Sequence, residues 1–255
     1  MNVVVLATSG LHTDIMVNFL DDVGIQPTAV LIEPSQSRRS LLYGRARRLG
    51  WRAVVGQVLF IVIVLPLIRR GVEPRLKAIR QDYDLRADPL KESRVTTITS
   101  VNAPATRELL RRLDPDAVVL SGTRIVKAET LDAIAAPVLN IHAGITPEYR
   151  GVHGGYWALW MGRPEEFGAT LHLVDAGVDS GAVLSHVRPV PTAKDNFATY
   201  PLLQLGAALP ALVKTLIGLD QSKTLPDPVP TTGAGRQWFH PTLWQYLIGL
   251  RRGVR

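Results

Sequence analysis

The stretch NVVVLATSGLHTDIMVNFLDDVGIQPTAVLIEP, Asn2 to Pro34, decides the fold. It opens on a β-branched run, Asn2 to Ala7, passes through the amphipathic segment HTDIMVNFLDDVG, and ends in a second apolar run, Thr28 to Pro34. Two strand-like runs separated by one helical segment make a βαβ unit, which implies a parallel sheet covered by helices. The alternation resumes further along. RVTTITS (Arg94 to Ser100) reads as a third strand, APATRELLRRLD as a helix, AVVLSG (Ala117 to Gly122) as a fourth strand, Lys127 to Ile134 as a short helix, and VLNIH (Val138 to His142) as a fifth strand. The fold class predicted is therefore α/β, a doubly wound, mostly parallel sheet. Beyond it, GATLHLV (Gly168 to Val174) and GAVLSHVRPV (Gly181 to Val190), joined by DAGVDS, predict a neighbouring antiparallel pair. A last helix is expected over roughly Phe197 to Leu219, followed by a proline-rich tail. In domain terms, residues 1–219 read as a catalytic domain with an insertion over about 38–92, and residues 220–255 as a C-terminal extension.

Composition narrows the chemistry. With 255 residues, 46% of them hydrophobic, the chain can bury one large core. The absence of cysteine excludes disulfides, thiolate metal sites and cysteine nucleophiles, so His, Asp and Asn must carry any reaction. Met1 leads into NVVVLA without a basic segment or cleavage site, so a cytoplasmic location is expected.

Ligands of open α/β sheets bind beyond the carboxyl ends of the strands. Asn140 and His142 stand at such an end, and their i, i+2 spacing puts both side chains on one face of a strand. A hydrogen-bond donor beside an imidazole suits stabilisation of an oxyanion. Asp175 and Asp179, in the loop after the next strand, are both candidates to orient the imidazole and accept a proton. Acyl transfer or amine activation is the chemistry expected. A turn asparagine beside a satisfied core histidine has the same spacing, so the pair gains meaning from the residues that follow: Pro147, Tyr149-Arg150-Gly151, Gly168 with Thr170, then Asp175, Asp179 and Gly181.

This ordered set resembles the folate-dependent formyltransferase family, which includes glycinamide ribonucleotide, methionyl-tRNA and sugar-nucleotide N-formyltransferases. The resemblance runs from about Met1 to Leu219, interrupted by a basic window. It implies a Rossmann-like fold, 10-formyltetrahydrofolate as formyl donor without a metal, and Asn140, His142 and Asp179 as catalytic residues. By the same matching, Thr123, Arg124, Ile125 and Val126 would hold the pterin, and Val174, Asp175 and Val178 belong to the loop closing over it. The acceptor side is expected at Ser9, Gly10, Gly144, Arg150 and Tyr156, the last facing the site from a helix whose Trp157 and Trp160 pack in the core. Two departures bear on the acceptor. His142 is followed by Ala143-Gly144-Ile145-Thr146-Pro147 where the family reads H-P-S-L-L-P, and the phosphate-gripping first loop is matched only at Ser9 and Gly10. Only 36 residues follow Leu219, too few for the appended barrel of the tRNA enzymes. The expected acceptor is accordingly an amine of a small molecule, an amino sugar on a nucleotide or lipid carrier. A purine-type ribonucleotide activity and a non-catalytic folate- or membrane-binding protein are the alternatives. His153, His172 and His186 could join His142 as ligands, but no spacing describes a closed metal site.

The net charge of +7 is concentrated: Pro34 to Gly71 holds eight arginines and no acid. The apolar run within it, Val58 to Ile68, is 11 residues and as a helix spans about 16 Å, too short for a hydrocarbon core of roughly 30 Å. A buried element, an in-plane membrane contact through 38–71 at the inner membrane face, and a homodimer interface are the readings of this segment. Tyr43 and Trp51 alone do not interleave the arginines with aromatics, so nucleic acid is not an expected partner.

Overall fold

The computed structural model describes residues 1–35, 47, 49–233 and 235–255; Arg38, Arg39, Tyr43, Arg45 and Arg48 of the basic window lie outside the described residues. The N-terminal βαβ unit forms as expected: β1 (Val3–Thr8), α1 (Leu11–Asp22) and β2 (Ala29–Glu33), with β1 parallel to β2. β3 (Val95–Thr97), α5 (Pro104–Leu113), β4 (Ala117–Ser121), α6 (Ala128–Leu131) and β5 (Val138–His142) continue the alternation after an inserted helical segment. β7 (Ala169–Leu173) and β8 (Val183–Val187) complete a seven-stranded sheet of order β3-β2-β1-β4-β5-β7-β8. The first five strands are parallel, and the β5–β7 and β7–β8 pairs are antiparallel, as the short connection predicts. β3 is three residues long, not the seven of RVTTITS, because only Val95 to Thr97 pair with β2.

The central strands are buried on both faces, which is why they read as unbroken apolar runs rather than alternating ones. Val3, Val5, Val119 and Leu139 point into the larger core cluster with the long helix α8 (Tyr200–Ser222), and Val4, Leu6, Val118 and Val138 point into a smaller cluster on the opposite face. α8 starts at Tyr200 rather than Phe197; Pro201 stands in its first turn, where a missing N–H costs nothing.

The insert is helical. α2 (Trp51–Leu59) runs through a π-helical turn, Phe60–Val64, into α3 (Leu65–Arg69), and α4 (Glu73–Asp82) follows. The wider turn lies just ahead of Pro66, whose absent N–H already opens the hydrogen-bond ladder. The continuous helix Trp51–Arg69 is 19 residues, well beyond the 11 of its most apolar run, and about 28 Å long. The expectation that it is too short to span a bilayer is thereby corrected on length. One side of it is nevertheless docked on the domain: Phe60 is fully buried against Phe197 and Tyr246, and the Gln57 side-chain amide donates to the His240 carbonyl at 2.9 Å. Arg75 of α4 grips the buried Asp195 with two bonds of 2.8 and 2.9 Å. The tail packs on the same body. β9 (Arg236–Trp238) pairs in parallel with β6 (Tyr149–Gly151), a second small sheet that no periodicity announced, and α9 (Leu243–Arg251) starts on a Thr242/Gln245 capping box.

Candidate active site

Asn140 and His142 project from one face of β5 at its carboxyl end, where cross-strand pairing sets them opposite His172 and Thr170 of β7. The loop between β7 and β8 folds back over this pair and delivers Asp179. Its Oδ2 lies 3.3 Å from His142 Nδ1 and accepts the Gly151 N–H at 2.9 Å, and its Oδ1 lies 3.7 Å from His172 Nε2. Asp179 sits at φ 48°, a left-handed conformation that a non-glycine residue adopts at a cost of order 1 kcal/mol. Its carboxylate contacts hold it there.

Hydrogen bonding defines the state of each ring. His142 donates from Nε2 to the Tyr149 carbonyl at 2.7 Å while its Nδ1 faces the Asp179 carboxylate. His172 donates from Nδ1 to the Leu173 carbonyl at 2.7 Å, which leaves Nε2 as an acceptor. The Asn140 side-chain NH2 must then be the group that faces it, at 3.1 Å. Burial pushes the His172 imidazole below its ordinary value, in keeping with a neutral ring. Asn140 is half-buried, and among the described residues its only side-chain hydrogen bond is to His172. Its second amide hydrogen therefore remains for a bound molecule. Gly144 allows this packing: a Cβ there would collide with the Tyr149 carbonyl oxygen and approach His142 Nε2 within 2.8 Å.

The two segments expected to hold a pterin lie on the face that carries the smaller core cluster, to which Val126 and Val174 both contribute. Arg124 is no solvated loop residue: its N–H donates to Glu33 Oε1 at 2.7 Å, and its guanidinium lies 2.6 Å from Oε2. Glu33 is 1% exposed and also accepts the Val101 N–H at 3.0 Å. Asn102 adds a bond to the Ile125 carbonyl, so Thr123 to Val126 form a braced loop with Ile125 exposed. A rigid loop edge with an exposed apolar side chain, beside an amide with hydrogen-bonding capacity to spare, fits a flat heteroaromatic donor such as a folate. Val178 is half-buried in the covering loop.

A cavity of about 660 Å³ opens beside this site, lined by Ser9, Gly10, Ser121, Gly122, His153 and Phe197 among others. Ser121 follows Leu120, the β4 residue paired with Asn140, so the cavity is one strand away from the catalytic candidates. Ser9 and Gly10, expected on the acceptor side, line it. Leu65, Arg69, Val72 and Leu76 of the insert and His240 of the tail also line it, which sequence reasoning missed because neither segment carries a motif.

Three expectations change. Tyr156 does not face this cavity: it is 1% exposed and packed among Trp157, Phe197 and Tyr246, because the helix Gly154–Trp160 (α7) turns it into the core. Asp175 does not reach the imidazole, since its Oδ1 accepts the Gly177 N–H and the Ser180 hydroxyl, both at 2.9 Å, and braces its own loop. Arg150 lies in β6 opposite Gln237, away from the cavity lining. His172 is the residue that orients Asn140; its alternation with Thr170 on β7 was the available signal.

Residues 79–200, a little under half of the chain, match the model of the formyl transferase family, and the chain resembles that family in fold and in the arrangement of the site just described. It is 37% identical over 126 residues to a methionyl-tRNA formyltransferase of Acidobacterium capsulatum, a match covering 47% of this chain and 39% of that relative. The chain thus spans less than half the length of that curated relative. In fold it is similar to a sugar N-formyltransferase from a Shewanella species, with a TM-score of 0.58 at 15% identity over 99% of this chain and 87% of the other. It is also similar to a phosphoribosylglycinamide formyltransferase from Anaplasma phagocytophilum, with a TM-score of 0.56 at 18% identity over 92% and 95% of the two chains.

Proposed function

We propose that this chain transfers a formyl group from 10-formyltetrahydrofolate to the amine of a small molecule, an amino sugar on a nucleotide or lipid carrier. The observation that carries this reading is the convergence of Asn140, His142 and Asp179 at the carboxyl end of β5, within the segment that matches the family. When bound, the folate supplies the formyl carbon that an amine can attack. The remaining amide hydrogen of Asn140 is placed to stabilise the oxygen that gains charge, and the His142 imidazolium adds positive charge beside it. Asp179, 3.3 Å from His142 Nδ1, orients that ring, accepts the proton that the amine loses, and would return it to the donor nitrogen as that nitrogen's bond to the formyl carbon breaks. Thr123 to Val126 and Val174 to Val178 would hold the donor, and the neighbouring cavity the acceptor.

The sugar acceptor is supported by the fold likeness to a sugar N-formyltransferase and by the limited match of the first loop to a phosphate grip. The working location proposed is the cytoplasm at the inner membrane face, with the arginine-rich insert as the membrane contact. Incubation with 10-formyltetrahydrofolate and a panel of amines, with products identified by mass, tests the assignment. The panel spans amino-sugar nucleotides, lipid-linked amino sugars, glycinamide ribonucleotide and initiator methionyl-tRNA. Formylation of an amino sugar is the expected result; preference for the ribonucleotide or the tRNA would move the acceptor, and no transfer to any of them would remove the activity.

A further inference from the structure

We infer that α9 of the tail and the insert helix Trp51–Arg69 together form a platform that docks this protein on an anionic bilayer. The membrane contact proposed above rests on the insert alone; here a second element, remote in sequence, shares the task.

Each helix buries one apolar face, at Val54 and Phe60 or at Tyr246, and unlike an ordinary amphipathic helix carries further apolar side chains toward solvent. Along the insert, Trp51, Val55, Val62, Ile63 and Leu67 are between 51% and 66% exposed, and only 22% of its apolar window is buried. In α9, Trp244, Leu247 and Ile248, at i, i+3 and i+4, are between 39% and 49% exposed. The other candidate spanning helix, α8, is a core helix with 61% of its window buried, so apolar composition alone does not produce this exposure. The two helices touch. Gly56 of α2 lies against the Trp244 ring, where a Cβ would collide with it, and the Phe60 ring packs at a tilt on Tyr246 with centroids 5.1 Å apart. The exposed apolar residues therefore belong to neighbouring elements and not to scattered sites, a feature that marks an interaction surface.

Charge selects the occupant. Pro34 to Gly71 carries eight arginines and no acid, and residues 228–255 carry four arginines and no acid. These twelve positive charges exceed the net charge of the whole chain, +7, so the remainder is net −5. Arg52, Arg69 and Arg70 near the ends of the insert helix and Arg251 at the end of α9 are exposed. Two such segments repel one another across a two-fold contact with a second copy of the chain, whereas an anionic lipid surface neutralises both and accepts the apolar side chains between them. Leu65 and Arg69 of the insert also line the cavity, which sets the platform beside the proposed acceptor site.

Sedimentation of the full chain with vesicles tests this without recourse to catalysis. The protein is expected to pellet with phosphatidylglycerol-containing vesicles, to remain in solution with pure phosphatidylcholine, and to lose binding as salt rises. The triple variant Trp244→Gln/Leu247→Gln/Ile248→Gln should lower partitioning at least tenfold, and so should Val62→Gln/Ile63→Gln/Leu67→Gln. Circular dichroism checks that each variant folds. Wild-type partitioning by the α9 variant overturns the inference while leaving the insert contact and the formyl transfer untouched. A lipid-independent dimer that both triple variants convert to monomer overturns it in favour of self-association, and a wild-type protein that stays in the supernatant overturns it outright.

Discussion

At the scale of single residues, the account makes His142, Asp179 and Asn140 a unit. His142→Ala and Asp179→Ala should each lower turnover by about 10²- to 10⁴-fold with the fold retained, and Asn140→Ala by about 10²-fold or more, in steady-state assays of formylated product. His172 acts through Asn140, so its signature is a pH profile. Its pKa is lowered by burial, so the folded ring stays neutral at pH values where the unfolded one gains a proton. Acidification below about 6.5 therefore weakens the fold and, on protonation, turns Nε2 from an acceptor into a donor facing the Asn140 amide. Activity and melting temperature should both fall on that acid limb, and His172→Gln, which keeps an acceptor but cannot be protonated, should flatten it. An unchanged limb in the variant would show that another group sets it. The pairing of Asn140 with His142 was legible because i, i+2 spacing on a strand puts both side chains on one face. The choice between Asp175 and Asp179 was not, because only the folded loop shows Asp175 spending its carboxylate on Gly177 and Ser180.

At the scale of elements, the loop Thr123 to Val126, one of the two that would hold the donor, leans on one buried carboxylate. Glu33 ties the ends of β2, β3 and β4 together through Arg124 and Val101, so Glu33→Ala leaves the Arg124 guanidinium without its carboxylate, with only the Pro34 carbonyl as acceptor among the described residues. A loss of about 3 kcal/mol on chemical denaturation is expected, with weaker folate binding. A stable variant with unaltered folate affinity would mean that the loop is braced elsewhere. The insert has its own anchor. Burial raises the pKa of Asp195, but hydrogen bonds from Arg75 and Thr192 more than offset this and hold it below the ordinary carboxylate value. The pair stabilises the fold above the unfolded value and loses that contribution as pH falls through the folded one. Arg75→Met should cost about 3–5 kcal/mol near neutral pH, read from a urea midpoint, and less under acid conditions where Asp195 is protonated. The sequence showed the sheet strands clearly, since burial on both faces leaves unbroken β-branched runs. It hid β6 and β9, three-residue strands whose pairing is decided by contacts far apart in the chain.

At the scale of the molecule, insert and tail complete the domain rather than decorate it. The indole N–H of Trp157 donates to Phe239, that of Trp160 to Gln245, and that of Trp238 to Glu148, so the tail is stitched to the body near the site. This was beyond sequence reasoning because neither segment carries a motif; only the fold brings the insert and the tail to one cavity. The fold class needed no such long-range information, since the βαβ opening and the later alternation already required a parallel sheet. The central claim is that Asn140, His142 and Asp179 perform formyl transfer from 10-formyltetrahydrofolate. The most direct measurement is the mass-resolved yield of formylated amine from that donor, run side by side with wild type and folded Asp179→Ala. The account predicts an added formyl group with the wild type and at least a hundredfold slower appearance with the variant; equal yields from the two proteins, or no formylated product from the wild type with any amine in the panel, would contradict it.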